Sequence, residues 1–128
     1  MARVIDLCKQ KLGAAVLSSH EQHGDETVVI RKDAILAALR WLRDDDATKF
    51  DFMMDLTAVD HFGTKPREER FEVVYHLYSL KHNHRLRVKV PVSESDPTIE
   101  SADTVWMAAN WFEREVWDMY GIILSRLS

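Results

Sequence analysis

The chain has 128 residues, the length of one domain, and can bury a hydrophobic core without disulfides. Its formal net charge of −4, with no long basic run, disfavours a nucleic-acid-binding protein. The one cysteine, Cys8, leaves no partner for a disulfide within the chain, and we interpret it as a small core residue in a reducing compartment. Charges interrupt the N-terminal apolar pattern, and no apolar run approaches ~20 residues, so neither a signal peptide nor a membrane span is expected.

The first third of the chain predicts a helix, a β-hairpin and a second helix. Apolar residues recur at helical spacing from Val4 to Leu12, and Gly13 is placed to end that helix. The segments "AVLSSHEQ" and "ETVVIR" predict two strands joined by a turn at Gly24. The segment "KDAILAALRWLRDDD" predicts a helix capped by Asp33. Its apolar stripe, at spacings of four and three residues, is formed by Ile35, Leu39 and Leu42.

Three strands are predicted next, because apolar and polar residues alternate in three consecutive segments. In the first, one face carries Phe52, Met54, Leu56 and Ala58. In the second, Phe71, Val73, Tyr75 and Leu77 oppose Glu72, Val74, His76 and Tyr78. In the third, Leu86, Val88, Val90 and Val92 point inward. Pro91 marks a strand end or a sheet edge, and "HFGTKPREER" predicts a longer loop between the first two strands.

Short connections between neighbouring strands favour hairpins. We therefore predict an α+β fold, with a mostly antiparallel sheet of about five strands packed with about three helices. Residues 1–128 form a single domain on this interpretation.

A final helix is predicted from about Asp103 to Tyr120. On a helical wheel the core face is formed by Val105, Ala109, Phe112, Val116, Met119 and Tyr120. Trp106, Glu113 and Trp117 lie beside it, and Met107, Trp111, Arg114 and Asp118 lie roughly opposite. Because large rings or methionines occur on nearly every side, the helix is expected to be buried from more than one direction.

The charges of the same helix are unusual for its position. Glu113, Glu115 and Asp118 fall in its last turns, where the helix dipole disfavours acids, and the Arg114–Asp118 pair has the weaker orientation. Two interpretations follow: a core helix with solvated acids on its rim, or a docking helix whose tryptophans and acids meet another subunit. The tryptophans favour docking, because such rings anchor protein interfaces.

Candidate catalytic and metal-binding residues are few. His82 and His84 form an H-x-H pair at a predicted turn, without a cysteine or clear carboxylate to complete a ligand set. Asp51 and Asp55 can share a strand face while Asp60 falls on the other, so pairing with Arg or Lys is preferred over acid–base chemistry. The four scattered glycines form no phosphate-binding loop, and a lone cysteine cannot hold a Cys-ligated iron–sulfur cluster.

The sequence resembles one family over about residues 26–122. "EREVWDMYGI" is similar to the E-R-E-x-x-D-(aromatic or aliphatic pair)-G-I signature of the 30-kDa subunit (also called the C subunit) of proton-pumping NADH-quinone oxidoreductase, respiratory complex I. "FDFMMDLTAVDHFG" and "ERFEVVYHLYSLKHNHRLRVKVPV" also look like that family, in its order. The signature and its flanking rings supply the predicted interface residues: Trp111, Glu113, Arg114, Glu115, Trp117, Asp118, Tyr120, Gly121 and Ile122.

The resemblance implies a structural subunit of the peripheral arm, on the cytoplasmic face of the inner (plasma) membrane. It implies no cofactor, catalytic residue or metal in this chain, because partner subunits hold the NADH, FMN, iron–sulfur clusters and quinone. The implied partners within complex I are its D subunit, which carries the quinone site, and its B subunit. Glu113, Arg114, Glu115 and Asp118 would supply ion pairs between elements or subunits, with the rings excluding water around them.

One departure accompanies the resemblance. Family members continue past Gly-Ile with a phenylalanine, a Gly-His-Pro stretch and a basic, leucine-bearing segment, whereas this sequence reads "ILSRLS". Two explanations are open: a shortened member, or last residues that are foreign to the family. Two alternatives stay open: the equivalent subunit of a membrane-bound hydrogenase or of a ferredoxin- or F420-dependent complex, and a small stand-alone hydrolase.

Overall fold

The computed structural model describes residues 3–61 and 70–125. The loop predicted within residues 61–70 falls mostly on residues 62–69, outside the described ranges. The helices are α1 (Val4–Leu12), α2 (Ile35–Asp44) and α3 (Ala109–Tyr120). The strands are β1 (Val16–Gln22), β2 (Asp25–Ile30), β3 (Phe52–Asp60), β4 (Phe71–Ser79), β5 (His84–Val92), β6 (Thr98–Glu100) and β7 (Ile123–Ser125).

The main sheet has the strand order β1-β2-β5-β4-β3. The β2–β5 pair is parallel and the other three pairs are antiparallel, which confirms the predicted α+β fold with a mostly antiparallel sheet. The β1–β2 hairpin turns at His23 and Gly24, both at positive φ (54° and 85°), as two-residue hairpin turns require. A two-stranded parallel ribbon, β6–β7, was not predicted.

The hydrophobic core lies against one face of the main sheet and draws on all three helices. The predicted stripe of α2 is fully buried, as are the predicted inward residues of β4 and β5. Cys8 is also in the core, as predicted, and burial raises the pKa of its thiol to about 12. At pH 7 this thiol is therefore protonated and is a poor nucleophile.

The alternation predicted for β3 is wrong in its first half. Leu56 and Ala58 are buried, but Phe52 and Met54 are exposed and Met53 points into the core. The register shifts between Met53 and Asp55, where β3 pairs with β4. Because of this β-bulge, odd-numbered residues face the core before it and even-numbered residues face the core after it. Simple alternation of apolar and polar residues does not predict a bulge.

Of two smaller predictions, the helix cap is wrong and the position of Pro91 is confirmed. Asp33 does not cap α2, because its carboxylate accepts a hydrogen bond from the Arg31 side chain instead. Pro91 lies one residue before the end of β5, which confirms the predicted strand end. The parallel pairing with β2 stops at Lys89, so β5 at Pro91 is flanked by β4 alone.

Candidate partner-binding surface

The helix α3 begins six residues later than the sequence pattern predicts. Trp106 enters the core and donates its indole N–H to the Phe50 carbonyl at 3.2 Å. Arg43, in the last turn of α2, donates to the Val105 carbonyl at 2.8 Å. These contacts hold residues 102–106 in a separate turn, so the continuous helix starts at Ala109.

The buried face of α3 contains a carboxylate. Glu113 is 7% exposed, and its two oxygens accept hydrogen bonds from Ser101 Oγ (2.6 Å) and the Ala102 N–H (2.7 Å). The hydroxyl of Tyr75, in β4, is fully buried. Its pKa is raised mainly by desolvation and, to a smaller extent, by the negative charge of Glu113. Glu113 therefore ties α3 to the preceding segment through charge-assisted hydrogen bonds.

Sequence reasoning places Glu113 beside the core but misses its partners. Ser101 and Ala102 lie 12 and 11 residues before Glu113, outside any helical repeat, so no spacing signal identifies them. The predicted core face is otherwise partly right: Ala109 and Val116 are buried. Met119 is 72% exposed and does not belong to it.

The opposite face of α3 exposes large apolar side chains. Trp111 is 69% exposed and Trp117 is 50% exposed. Met107, just before the helix, is 90% exposed, and Ile123, just after it, is also exposed. We call these four residues, together with Met119, the α3 surface. Several large apolar side chains exposed along one helix and at its two ends are typical of interaction sites on protein surfaces.

The other charged residues of α3 are exposed. Arg114, Glu115 and Asp118 are all exposed, and the Arg114 Nε–Asp118 Oδ2 distance is 3.7 Å. Within α3, all of which is described, the last turn has no basic residue to offset the helix dipole, and Asp118 is paired with Arg114 one turn earlier. Two acids and one arginine are thus exposed near the apolar side chains, and we call Glu115 and Asp118 the acidic rim of the α3 surface.

The last two residues of the motif, Gly121 and Ile122, end α3 and lead into the next strand. Gly121 adopts a left-handed conformation (φ 70°) and its N–H caps the Trp117 carbonyl at 2.9 Å. Ile122 is then fully buried, and β7 pairs with β6. Between α3 and β7 lies a groove of about 430 Å³, lined in part by Asn110, Arg114, Trp117 and Ile123.

The structure thus divides the nine predicted interface residues into four groups. Five are exposed on α3: Trp111, Arg114, Glu115, Trp117 and Asp118. Glu113 and Ile122 are buried, Tyr120 is half-buried, and Gly121 is the helix cap. The buried members fix the helix, and the exposed members are the ones able to contact a partner.

The candidate histidines and acids do not converge on one site. His82 Nε2 lies 2.7 Å from the Asp46 carbonyl oxygen, whereas His84 Nε2 lies 2.9 Å from Glu26 Oε1. Asp60 forms the predicted ion pair, with Arg70 at 2.8 Å. Across residues 3–61 and 70–125, no cluster of three or more His, Cys, Asp or Glu is arranged to hold a metal ion.

No helix in the described part of the chain has the length and apolar character that crossing a membrane requires.

Comparison with known proteins gives a consistent assignment. Residues 28–126 match the family model "Respiratory-chain NADH dehydrogenase, 30 Kd subunit". The chain is 43% identical over 120 residues to the C subunit of NADH-quinone oxidoreductase from Citrifermentans bemidjiense, covering 94% of this chain and 71% of that protein.

Two solved structures share the fold. One, "Nqo5 of the trypsin-resistant fragment (1-134)", superposes with a TM-score of 0.81 at 28% identity, covering 96% of each chain. The other, a chain of the membrane-bound sulfane sulfur reductase, an archaeal respiratory membrane complex, gives a TM-score of 0.74 at 22% identity, covering 94% of this chain and 68% of that one. With the family match over most of its length, this chain belongs to the family of the respiratory-chain NADH dehydrogenase 30-kDa subunit.

Proposed function

We propose that this chain is a cofactor-free structural subunit in the peripheral arm of a proton-pumping NADH-quinone oxidoreductase. It forms one domain of the 30-kDa-subunit type and holds neighbouring subunits in place. Those neighbours carry the NADH, FMN, iron–sulfur clusters and quinone and transfer the electrons. Family membership supports the assignment to this class of complex.

One observation carries the structural role: α3 is fixed from its buried side and exposes tryptophans on the other. Glu113 accepts two hydrogen bonds from residues 101 and 102, so the helix is anchored from its buried side within this chain. Trp111 and Trp117 make no hydrogen bond from their indole N–H groups within the described ranges. Large, pre-ordered rings with unused donors are suited to anchor a partner at low entropic cost.

The partners we propose are the D subunit, which carries the quinone site, and the B subunit of the same complex, on the cytoplasmic face of the inner (plasma) membrane. The acidic rim of the α3 surface calls for a partner surface with Lys or Arg around an apolar patch. The groove between α3 and β7 offers a place for one such side chain, with Trp117 and Ile123 as its apolar wall. Membrane association then comes through the complex.

A second candidate is the equivalent subunit of a membrane-bound hydrogenase or of a ferredoxin- or F420-dependent complex. It is favoured by the fold shared with the sulfane sulfur reductase chain. The proteins retrieved with the chain from solubilised membranes distinguish these candidates: flavin-containing, NADH-linked subunits indicate the first and hydrogenase-type subunits the second. A stand-alone hydrolase would be retrieved with neither.

The test is a Trp111→Ala/Trp117→Ala double variant, expressed as a tagged chain in place of the native one. Because Trp111 is 69% exposed but Trp117 only 50% exposed, the free energy of unfolding of the isolated chain should fall by about 2 kcal/mol. Recovery of the quinone-site subunit with the chain should fall by about tenfold or more, as for loss of an interface anchor. Co-purification and thermal unfolding are the two measurements.

Leu17→Ala is the matched control, because Leu17 is an exposed large apolar residue on β1, away from α3. It should leave both measurements unchanged. A double tryptophan variant that melts much earlier, yet assembles normally in its folded fraction, would overturn the docking role.

A further inference from the structure

A short turn, residues 102–106, precedes α3, and we call it the linking turn. Within it, the N–H groups of Val105 and Trp106 both donate to the Ala102 carbonyl at 3.0 Å. The Trp106 carbonyl then accepts the N–H of Ala109, the first residue of α3, at 3.0 Å. The position of the linking turn therefore fixes where α3 begins.

The linking turn is held by contacts from three parts of the chain. The Glu113 carboxylate of α3 accepts the N–H at its start, and the Trp106 indole donates to the Phe50 carbonyl in the core. The third contact comes from α2, where Arg43 Nη1 donates to the Val105 carbonyl at 2.8 Å. Glu113 and Trp106 are buried, whereas the Arg43 side chain is 33% exposed. Arg43 is therefore the contact that a substitution removes without opening a cavity in the core.

A neighbouring carboxylate orients the Arg43 guanidinium group. Nε donates to Asp44 Oδ1 at 2.7 Å and Nη2 donates to Asp44 Oδ2 at 3.1 Å, the paired geometry that arginine forms with a carboxylate. The pKa of Asp44 is lowered, first by its hydrogen bond from Arg43, so both groups are charged at pH 7. Because Nε and Nη2 are held in this way, Nη1 is directed at the linking turn.

Arg43 also has a position suited to a simpler role. It lies in the last turn of α2, where a cation offsets the helix dipole. That role requires only a positive charge, which lysine also carries. Lysine lacks the planar set of donors that bonds Asp44 and the Val105 carbonyl at the same time. Arg43→Lys therefore separates the two roles.

We propose that Arg43 is a positioning residue for docking through the α3 surface, an inference that rests on the proposed function. By holding the linking turn from α2, Arg43 sets the start of α3 and thereby the directions in which Trp111 and Trp117 project. Docking is stronger when the interface groups are already ordered, because ordering them on binding costs free energy. Arg43 thus raises the affinity for the partner without contacting it.

The test measures the quinone-site subunit recovered per folded chain, with tagged variants expressed in place of the native chain. Arg43→Gln should lower this recovery about fivefold, the size of effect expected for a residue that acts through others. Arg43→Lys should lower it about threefold, because the charge remains but the paired geometry is lost. Arg40→Gln removes an exposed arginine of the same helix and should recover as the wild type. Wild-type recovery in either Arg43 variant, or an equal loss in Arg40→Gln, overturns the positioning role.

A loss of stability is separated from a loss of position by Leu39→Ala, which truncates a fully buried residue of the same helix. This variant should be destabilised more than Arg43→Gln in thermal unfolding. Per folded chain, however, it should recover the quinone-site subunit as the wild type does. Recovery that falls in proportion to stability in both variants would mean that Arg43 acts only through overall stability, and the proposal would fail.

The last variant adds Arg43→Gln to Trp111→Ala/Trp117→Ala. Because residues that act together are not additive, the added substitution should lower recovery by less than about twofold further. Losses that multiply would show that Arg43 contributes independently of the tryptophans, and they overturn this inference alone. A wild-type chain that retrieves no quinone-site subunit, or a tryptophan variant that retrieves it as the wild type does, overturns the proposed function and this inference with it.

Discussion

The helices α2 and α3 are of similar length, but they differ in which side chains are buried and which are exposed. In α2 the buried stripe is entirely apolar, formed by Ile35, Ala38, Leu39 and Leu42. In α3 the buried face includes Glu113, and the exposed face includes Trp111 and Trp117. The tryptophan of α2, Trp41, is partly buried and donates its indole N–H to Asp45 at 3.0 Å, so its polar atom is satisfied within the chain.

This difference separates two uses of a helix. α2 is stabilised by transfer of apolar side chains out of water, and its Arg43 also holds the turn that precedes α3. α3 is positioned by hydrogen bonds to a buried carboxylate, and its larger apolar side chains remain in water. Under the function we propose, such a helix becomes fully buried only in the assembled complex.

The largest effect should come from the core of α2. Leu39→Ala removes a fully buried side chain and leaves a cavity, so the free energy of unfolding should fall by about 4 kcal/mol. Chemical denaturation of the isolated chain measures this loss. The folded fraction should still recover the quinone-site subunit at wild-type levels, and a specific assembly defect would remove the distinction between the two helices.

A somewhat smaller loss is expected on the buried side of α3. Glu113→Ala leaves Ser101 Oγ and the Ala102 N–H without their acceptor, at a cost of about 3 kcal/mol. Glu113→Gln is the matched variant; because its amide oxygen can still accept one of the two bonds, about half that loss is expected. Unchanged stability in Glu113→Ala would mean that the carboxylate does not position α3.

The sequence predicts the regular helices and strands because, within each of them, apolar residues repeat with a single period. The stripe of α2 and the alternation of β5 each follow from burial on a single side, and both are found as predicted. Gly24 predicts its turn because the hairpin requires positive φ there. In each case the local pattern and the tertiary contacts agree.

The errors arise where a tertiary contact overrides the local pattern. The bulge at Met54 and the late start of α3 depend on β3–β4 pairing and on contacts of Trp106 and Arg43 with residues distant in sequence. For the α3 surface, the sequence identifies Trp111 and Trp117. No residue spacing identifies the hydrogen-bond donors to Glu113. The motif identifies the family; which motif residues are exposed follows only from the packing.

The smallest effect on the isolated chain is expected from the acidic rim of α3. In Asp118→Lys, a cation at the helix C-terminus gains up to about 0.5 kcal/mol from the dipole, and repulsion from Arg114 at i, i+4 offsets it by a similar amount. The free energy of unfolding should therefore stay within about 0.5 kcal/mol of the wild type, measured by urea denaturation. Recovery of the quinone-site subunit should nevertheless fall, most at low salt, because the reversed charge meets the basic rim that we propose for the partner. If stability fell sharply instead, Asp118 would belong with Glu113 among the groups that hold the helix, and the exposed side of α3 would have lost its electrostatic role in docking.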